Sequence, residues 1–328
     1  MRDNRSKLVV FVLALTALVL SSWSCSRKTE SITLAYSPSE AAGLVYIAHA
    51  RGFFTANGVQ IIDKYCDTGT AAIEALLKGE VDIAGMSEVP FISKVFEKRQ
   101  VSVYANLDKL QYIYLIAHKD RGIATAADLK GKRIGLPRRS IVDFYLGRYL
   151  ELNGISAQDL TLVETIPAAA MDAITSGRVD GVVVWNPFAY QIRQQMGDQA
   201  VLLRLQSSQP AYALAVARND WLAKHKVLLI RSLKAIAQAE QYVIDHPAEA
   251  RAIIQKRLNY DTEFVNSLWS ENQLSLSLDQ SLITAMEDEA RWMIKNNLAA
   301  GKTVPDLGNY IYADALKAVK PEAVNIIR

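Results

Sequence analysis

Short apolar runs and helical patterns take turns along the chain as far as residue 217. Runs typical of buried strands lie at 32–36, 59–65, 101–107, 112–118, 133–136, 160–165, 201–205 and 211–217. Between them apolar positions recur at helical spacing, as at 44–48, 141–153 and 188–195. A succession of strand, helix and strand is typical of a parallel sheet with right-handed crossovers, so the pattern predicts an α/β fold.

One helix-and-strand pattern occurs twice, at residues 70–85 and 168–183. In each copy an Ala-rich helical segment stops at a glycine, Gly79 or Gly177, which can close a helix in the left-handed conformation. Val-Asp then begins a short apolar strand. Each copy is therefore predicted to be a helix that leads into a buried strand, one in each half of the chain.

Polar or aromatic residues follow both repeated strands. The first strand is followed by Ser87 and Glu88, the second by Trp185 and Asn186, and a proline comes soon after each pair. In open α/β sheets ligands bind outside the carboxyl ends of the strands. Two such ends, one in each half, predict a ligand-binding cleft between two similar lobes.

The first lobe is predicted to be discontinuous in sequence. It consists of residues 31–118 and 213–328, with residues 119–212 inserted as the second lobe and two strands joining them as a hinge. From Asn219 onward helices alone are predicted, at 221–245, 247–258, 261–270 and 278–297. We expect this helical tail to pack on the first lobe.

The N-terminus has the pattern of a secretory signal, so residues 1–24 are predicted to be a signal peptide. Its apolar run at 8–20 is shorter than the roughly 20 residues of a membrane span. Cys25 ends a segment that resembles the lipobox of bacterial lipoproteins, and residues 25–30 are therefore predicted to be a lipid-anchored tether. The alternative is a plain signal peptide. Cys66 is expected to be a half-buried thiol.

Composition argues against several functions. The formal net charge of +3 falls to about +1 without residues 1–24, so nothing in it indicates nucleic-acid binding. The four histidines have no second ligand at metal spacing, and the chain has no CxxC, no Ser-His-Asp order and no GxGxxG after a strand. We therefore predict no metal, no cofactor and no enzymatic activity.

Several motifs together resemble a known family. They are Gly52-Phe-Phe54 with Gly58-Val59, Gly79-Glu-Val-Asp82, Asp128-Leu-Lys-Gly-Lys-Arg-Ile-Gly135, Gly154-Ile155 and Gly177-Arg-Val-Asp180 with Trp185-Asn-Pro187. With the signal they resemble the substrate-binding proteins of ABC importers for nitrate, sulfonates, taurine and thiamine precursors. The resemblance implies a type II periplasmic-binding fold, in which two α/β lobes close on one small solute like a hinge and present it to a membrane permease.

The resemblance also implies partners and a location. We expect a monomer on the periplasmic or extracytoplasmic face, anchored through Cys25, that delivers its solute to an ABC permease and its ATPase. The expected solute is a sulfonate, a nitrate-like anion or a zwitterion, and the alternative is a thiamine-precursor pyrimidine. A sensor that uses the same clamp, or a structural lipoprotein, is the alternative role.

The candidates for ligand contact are Ser37, Thr68, Gly69, Thr70, Ser87, Glu88, Arg139, Ser140, Trp185 and Asn186. Thr70 and Ser140 lie where predicted helices begin, and free N–H groups there favour an anion. Trp185 offers an aromatic wall and an indole N–H donor. Asn186 stands where the family often has Glu or Gln, so it keeps hydrogen bonding but removes charge.

Glu88 and Arg139 decide the predicted charge of the ligand. An inward Glu88 would bind an amine, an amidine or an aminopyrimidine-like group, whereas a Glu88 that only starts a helix would complement its dipole. An inward Arg139 would pair with a sulfonate or carboxylate. Both together suit a zwitterion, Arg139 alone suits a simple anion, and Glu88 alone suits a pyrimidine.

Overall fold

The computed structural model describes residues 29–206, 209–269 and 271–327. The predicted signal peptide at 1–24 and the predicted lipidation site Cys25 lie outside the described residues. No helix within the described ranges combines the length and the hydropathy that crossing a membrane requires.

Strands in the described ranges form two sheets, each at the centre of an α/β lobe. In chain order the strands are β1 (Glu30–Tyr36), β2 (Val59–Tyr65), β3 (Ile83–Met86), β4 (Val101–Leu110), β5 (Ile113–His118), β6 (Arg133–Leu136), β7 (Thr161–Glu164), β8 (Gly181–Trp185), β9 (Ala200–Arg204), β10 (Ala211–Arg218) and β11 (Asn272–Ser277). The first sheet has the order β11-β4-β10-β3-β1-β2, and the second has the order β7-β6-β8-β5-β9. Parallel pairing joins β1 to β2 and β3, and β6 to β7 and β8. The two predicted α/β lobes are confirmed.

Helices lie between and beyond these strands. They are α1 (Gly43–Ala50), α2 (Phe53–Ala56), α3 (Gly69–Leu77), α4 (Glu88–Phe96), α5 (Ile141–Leu152), α6 (Ala170–Thr175), α7 (Phe188–Met196), α8 (Asn219–Lys224), α9 (Lys226–Asp245), α10 (Pro247–Leu258), α11 (Thr262–Trp269), α12 (Gln280–Lys295) and α13 (Asp314–Lys317). In the first lobe α1 packs against α9, and α4 packs against α12. The first lobe therefore takes part of its helical cover from the C-terminal third of the chain.

The repeated pattern folds alike in both lobes. The first copy forms α3 and β3, and the second forms α6 and β8, with Gly79 at φ +75° and Gly177 at φ +70°. The repeated aspartate has the same role in each copy. Asp82 Oδ2 accepts the N–H of Thr33, and Asp180 Oδ2 accepts the N–H of Arg133, both at 2.8 Å. Each aspartate thus fixes its strand against the neighbouring parallel strand.

The chain passes between the sheets at places that differ from the predicted boundaries. β5 pairs with β8 and β9 of the second sheet, so the chain leaves the first sheet at residues 111–112 and not near 119. The return crossing, predicted near 212, ends before Ala211, where β10 begins in the first sheet. An apolar run predicts a strand but not its partner, because a central strand of either sheet is buried on both faces.

The prediction that the tail consists of helices alone is wrong. β11 lies within it and extends the first sheet by antiparallel pairing with β4. Leu274 and Leu276 alternate there with polar residues, which is the signal of an edge strand. The predicted helix at 221–245 is broken at His225 into α8 and α9. Since α9 packs on α1, this part of the tail covers the first lobe as expected.

Gln206 joins the two crossing segments. Its Oε1 accepts the N–H groups of Tyr112 at 2.7 Å and Ile113 at 3.0 Å, and its Nε2 donates to the carbonyl oxygen of Leu110 at 3.0 Å. The side chain is 4% exposed, so these bonds form away from water. Buried backbone groups need such partners, and one amide supplies them where the chain leaves the first sheet for the second.

Two buried carboxyl groups lie close to the return crossing. Glu88 at the start of α4 accepts the N–H of Tyr212 in β10, at 2.8 Å. Neither Glu88 nor Glu289 of α12 has any solvent exposure. Burial raises the pKa of both carboxyl groups, and the charge of Glu88 raises the pKa of Glu289 further. Each carboxyl group therefore favours its protonated form.

Replacing Glu88 by Gln is expected to reduce the loss of stability as the pH rises. A buried acid with a raised pKa costs nothing below its ordinary pKa of 4.5, and the cost grows from there up to the raised pKa. Glutamine still accepts the Tyr212 N–H and has no proton to lose. Between about pH 4.5 and about pH 8, Glu88→Gln should lose less unfolding free energy than the natural protein, by up to about 1.4 kcal/mol per pH unit.

Thermal unfolding across this pH range is the measurement, and Glu97→Gln is the control. Glu97 is the exposed residue that follows the same helix, so its variant should follow the natural protein. The pKa of Glu289 is raised less when the charge of Glu88 is absent, so the difference between the profiles includes this coupling, whereas the remaining buried carboxyl groups are common to all three proteins. Identical pH profiles for Glu88→Gln and the natural protein would show that Glu88 carries no raised pKa.

Candidate functional site

A cavity of about 110 Å³ lies between the lobes, at the carboxyl ends of β1, β3 and β8. Tyr36 and Ser87 of the first lobe line it, as do Ser140 and Trp185 of the second. One buried water needs roughly 10–15 Å³ of such volume. The cavity is therefore large enough for a small organic solute.

Most of the predicted contact residues meet at this cavity. Those that line it are Ser37, Thr68, Gly69, Thr70, Ser87, Ser140 and Trp185. They come from three strand ends and three helix starts that are far apart in sequence. The structure thus brings them together, and their contact with a ligand stays a prediction.

Glu88, Arg139 and Asn186 do not line the cavity. The Glu88 carboxyl group bonds the hinge strand instead, as described above. Arg139 is exposed, and its backbone N–H donates to Asp143 Oδ2 at 2.9 Å within the turn that precedes α5. In this structure neither of the two charged candidates therefore reaches the space where a ligand would lie.

Asn186 takes part in a contact between the lobes. It is 1% exposed and lies beside the buried Glu40 of the first lobe. The Tyr260 hydroxyl donates to Glu40 Oε2 at 3.1 Å. Burial raises the pKa of Glu40 to about 7, against the opposing effect of hydrogen bonds from its own backbone and from Tyr260. The buried Nδ2 of Asn186 meets no hydrogen-bond acceptor among the described residues, so Asn186 lies beside Glu40 behind the cavity wall and not in the cavity.

The starts of several helices converge on the cavity. Thr68, Ser87 and Ser140 precede α3, α4 and α5, and Ser39 precedes the 3-10 turn Glu40–Ala42 that leads into α1. All four line the cavity, and Ser39 was not among the predicted residues. The first N–H groups of a helix lack partners within it and carry partial positive charge. Four such helix starts make this cavity suitable for an anion.

Gly69 allows α3 to begin this close to β3. A Cβ atom at Gly69 would lie 2.8 Å from Met86 Cβ, which is closer than packed atoms approach. Thr68 fixes the same turn, because its Oγ1 accepts the N–H of Ala71 at 3.1 Å. The Thr-Gly-Thr segment is thus shaped both by the close approach and by the cap.

Aromatic side chains form much of the cavity wall. Trp185 was predicted, whereas Tyr36, Tyr104, Tyr112 and Tyr212 were not. Burial raises the pKa of Tyr104 and Tyr112, and it raises that of Tyr212 to about 12, so these hydroxyl groups stay protonated. In the described part of the chain no Lys, Arg, His, Asp or Glu lines the cavity. The position of Tyr36 at the end of a predicted strand was the signal available in the sequence.

Proteins of known class are similar in sequence to this chain. The taurine-binding periplasmic protein of Escherichia coli is 26% identical to the chain over 222 residues, which is 66% of this chain and 68% of that protein. The resemblance to substrate-binding proteins of ABC transporters is confirmed by such relatives.

Solved structures share the fold. The alkanesulfonate-binding protein SsuA from Xanthomonas axonopodis pv. citri, bound to MOPS, matches with a TM-score of 0.74 at 18% identity, covering 86% of this chain and 98% of that one. The desulfurization enzyme DSZB matches with a TM-score of 0.66 at 16% identity, covering 89% and 99%. These likenesses confirm the predicted periplasmic-binding-protein fold, which therefore occurs in both binding proteins and an enzyme.

A family model described as NMT1/THI5 like matches residues 40–250, and the chain belongs to that family.

Proposed function

We propose that the chain is an extracytoplasmic solute-binding protein that captures an organic anion with a sulfonate head group and delivers it to an ABC permease. The observation that supports this most is the convergence of Ser39, Thr68, Ser87 and Ser140 on one cavity, each at the start of a helical segment. A sulfonate oxygen accepts hydrogen bonds from backbone N–H groups and from hydroxyl groups such as those of Thr68 and Ser87, whereas the Ser140 hydroxyl already donates to the Pro137 carbonyl oxygen at 2.6 Å.

The anion would be bound by neutral donors alone. No cationic side chain lines the described cavity, and Arg139 is exposed in its turn. Helix dipoles still favour negative charge in such a site, and the low dielectric of the interior strengthens each hydrogen bond. A sulfonate fits because it remains ionised at any physiological pH and has three acceptor oxygens.

Zwitterions and pyrimidines have less support. Both were predicted to need Glu88 as a partner for an amine or ring nitrogen. Glu88 instead bonds Tyr212 beneath the hinge, and burial favours its neutral form. In the described part of the chain no other carboxylate lines the cavity. An ammonium group would therefore lose its hydration without gaining a partner of opposite charge.

Contact with both lobes links binding to closure. Ser140, Ile141 and Trp185 come from the second lobe, and the other lining residues come from the first lobe and the hinge. A solute that touches both lobes stabilises the closed arrangement over the open one, because only the closed arrangement makes all the contacts. A permease that recognises the closed form would then receive only the loaded protein.

The enzyme DSZB has the same fold, but the cavity here does not favour catalysis. Among the described residues that line it there is no cysteine, histidine or carboxylate. Serine and tyrosine hydroxyl groups do line it, but a serine nucleophile needs an adjacent general base, and no such base lies among the described lining residues. The names of the relatives, taurine-binding and alkanesulfonate-binding, support capture and transport instead.

Removing the Ser87 hydroxyl is expected to weaken sulfonate binding with little change in stability. Ser87 lines the cavity, and its side chain makes no cap hydrogen bond to α4, so Ser87→Ala leaves the helix start intact. A hydrogen bond to a charged group contributes about 1.5–3 kcal/mol, which corresponds to roughly a 10- to 100-fold loss of affinity. Calorimetric titration of the purified protein with butanesulfonate measures it.

Arg139→Ala is the matched control for this titration. It removes a full positive charge near α5, but the side chain is exposed and does not line the cavity. Its affinity for butanesulfonate should equal that of the natural protein. A loss in Arg139→Ala with none in Ser87→Ala would mean that the guanidinium binds the head group, and neutral donors would be the wrong account.

We also propose that acylation of Cys25 anchors the protein to the membrane. The support is the signal-like segment at 1–24 and the resemblance of residues 22–25 to a lipobox. Cys25→Ser should move the protein from the membrane fraction to the soluble fraction and abolish incorporation of labelled fatty acid. Cys66→Ser, which alters the half-buried thiol of the first lobe, is the control and should leave both unchanged. Membrane association of Cys25→Ser would contradict the anchor.

A further inference from the structure

The cavity continues from the cleft into the interior of the first lobe. Beyond the helix starts it runs between the first sheet and helices α1, α2 and α9. Its walls there are apolar side chains from both layers: Leu34, Val45, Phe54, Ile83, Leu233 and Ile236. We call this part of the cavity the inner chamber.

Small residues make room for the inner chamber. Gly85 of β3 lines the cavity, as do Ala213 and Ala215 of β10, where larger side chains would fill the space. The partial exposure of Leu34 is evidence of this open space. It is half-buried although β1 lies between β2 and β3, whereas Ile32 of the same strand is fully buried. Protein interiors usually pack with few voids larger than one water, so open space beside an interior strand is unusual.

The chemistry of the two ends differs. The outer end has helix starts and hydroxyl groups, among them Ser87 and Ser140, whereas the inner chamber is apolar apart from Ser232 and the tyrosines. Apolar cavities exclude water and accept apolar guests. One continuous cavity with polar donors at its mouth and an apolar interior matches a molecule that has the same two parts.

We infer that the inner chamber takes the apolar tail of the solute, so that the ligand is an anion with an aromatic or extended alkyl tail. This inference rests on the proposed function, because the anionic head is placed at the helix starts. Small anions such as nitrate would leave the inner chamber without contacts. Taurine would place its ammonium group in a cavity whose described lining residues include no carboxylate to pair with it.

The chain length of the ligand tests the inner chamber. Each methylene moved from water into an apolar site contributes about 0.8 kcal/mol, so affinity should rise roughly three- to fourfold per methylene. Titration with methanesulfonate, butanesulfonate and octanesulfonate measures the slope. Equal affinities along this series would contradict the inner chamber and leave the anion site standing.

Ala215→Leu tests the place where the tail lies. The added methyl groups occupy the inner chamber, so the variant should bind octanesulfonate at least tenfold more weakly while its affinity for methanesulfonate stays unchanged. Its melting temperature should be equal or higher, because filling a cavity adds contacts. Ala248→Leu, at an exposed position of α10, is the matched control and should bind both ligands like the natural protein.

A second variant covers failure of Ala215→Leu to fold. Val45→Phe enlarges a side chain of α1 that lines the same space from the opposite wall, and it should cause the same selective loss. An unchanged chain-length slope in a folded variant of either kind would place the tail elsewhere and overturn the inference.

Two further ligands separate this inference from the proposed function. Octanoate has the same tail with a carboxylate head, and binding of both would show that the tail and a negative charge are what the site selects. Octanol has the tail alone. Binding of octanol with no binding of any sulfonate or carboxylate would uphold the inner chamber and contradict the proposed anion site. Binding of none of these ligands would contradict both.

Discussion

The arrangement of two lobes depends on the hydrogen bonds of one buried amide at the point where the chain passes twice between the sheets. Gln206 bonds the backbone on both sides of the first crossing from its place on the second, so the two connections act as one unit. Glu88 extends the same polar region by accepting the N–H of Tyr212 in the returning strand. Because buried backbone groups are costly to leave without partners, these bonds hold the two crossings together.

The electrostatic potential of the cavity depends on the absence of charged side chains from its described lining. Glu40 and Glu88 lie close by, but both are buried behind the wall, and burial favours their neutral forms. The helix starts then contribute positive potential to the cavity, and the buried Asp143 carboxylate in the first turn of α5 is paired with Arg138 at 3.0 Å. Under the proposed function a negative head group would be attracted without any lysine or arginine, and an apolar tail would meet no charge in the inner chamber. Selectivity would then depend on shape as well as on charge.

The tail contributes to more than the first lobe. Glu271 lies after α11, accepts the Tyr114 hydroxyl of the second lobe at 3.0 Å and forms an ion pair with Arg204. Trp292 of α12 packs edge to face on Phe144 of α5, with ring centroids 5.5 Å apart. A Cβ atom at Gly147 of α5 would lie 2.6 Å from the Trp292 Nε1 atom, so only glycine admits this approach. The tail thus contacts both lobes, outside the cavity that a ligand would occupy.

The sequence by itself determined the local elements and their repetition. The Gly79 and Gly177 stops and the Thr68 cap follow from short-range sterics and hydrogen bonding, which act within a few residues. Tertiary structure alone decided which sheet β5 joins and where Glu88 and Arg139 lie. Each of these residues is next to a cavity-lining residue, Ser87 or Ser140, at a point where the chain enters a helix. Glu88 is the first residue of α4 and Arg139 has a left-handed φ of +56°, so each side chain leaves in a different direction from that of its neighbour. The tyrosine walls and the inner chamber come from distant segments, so only the pairing of strands and the packing of helices over them bring those side chains together.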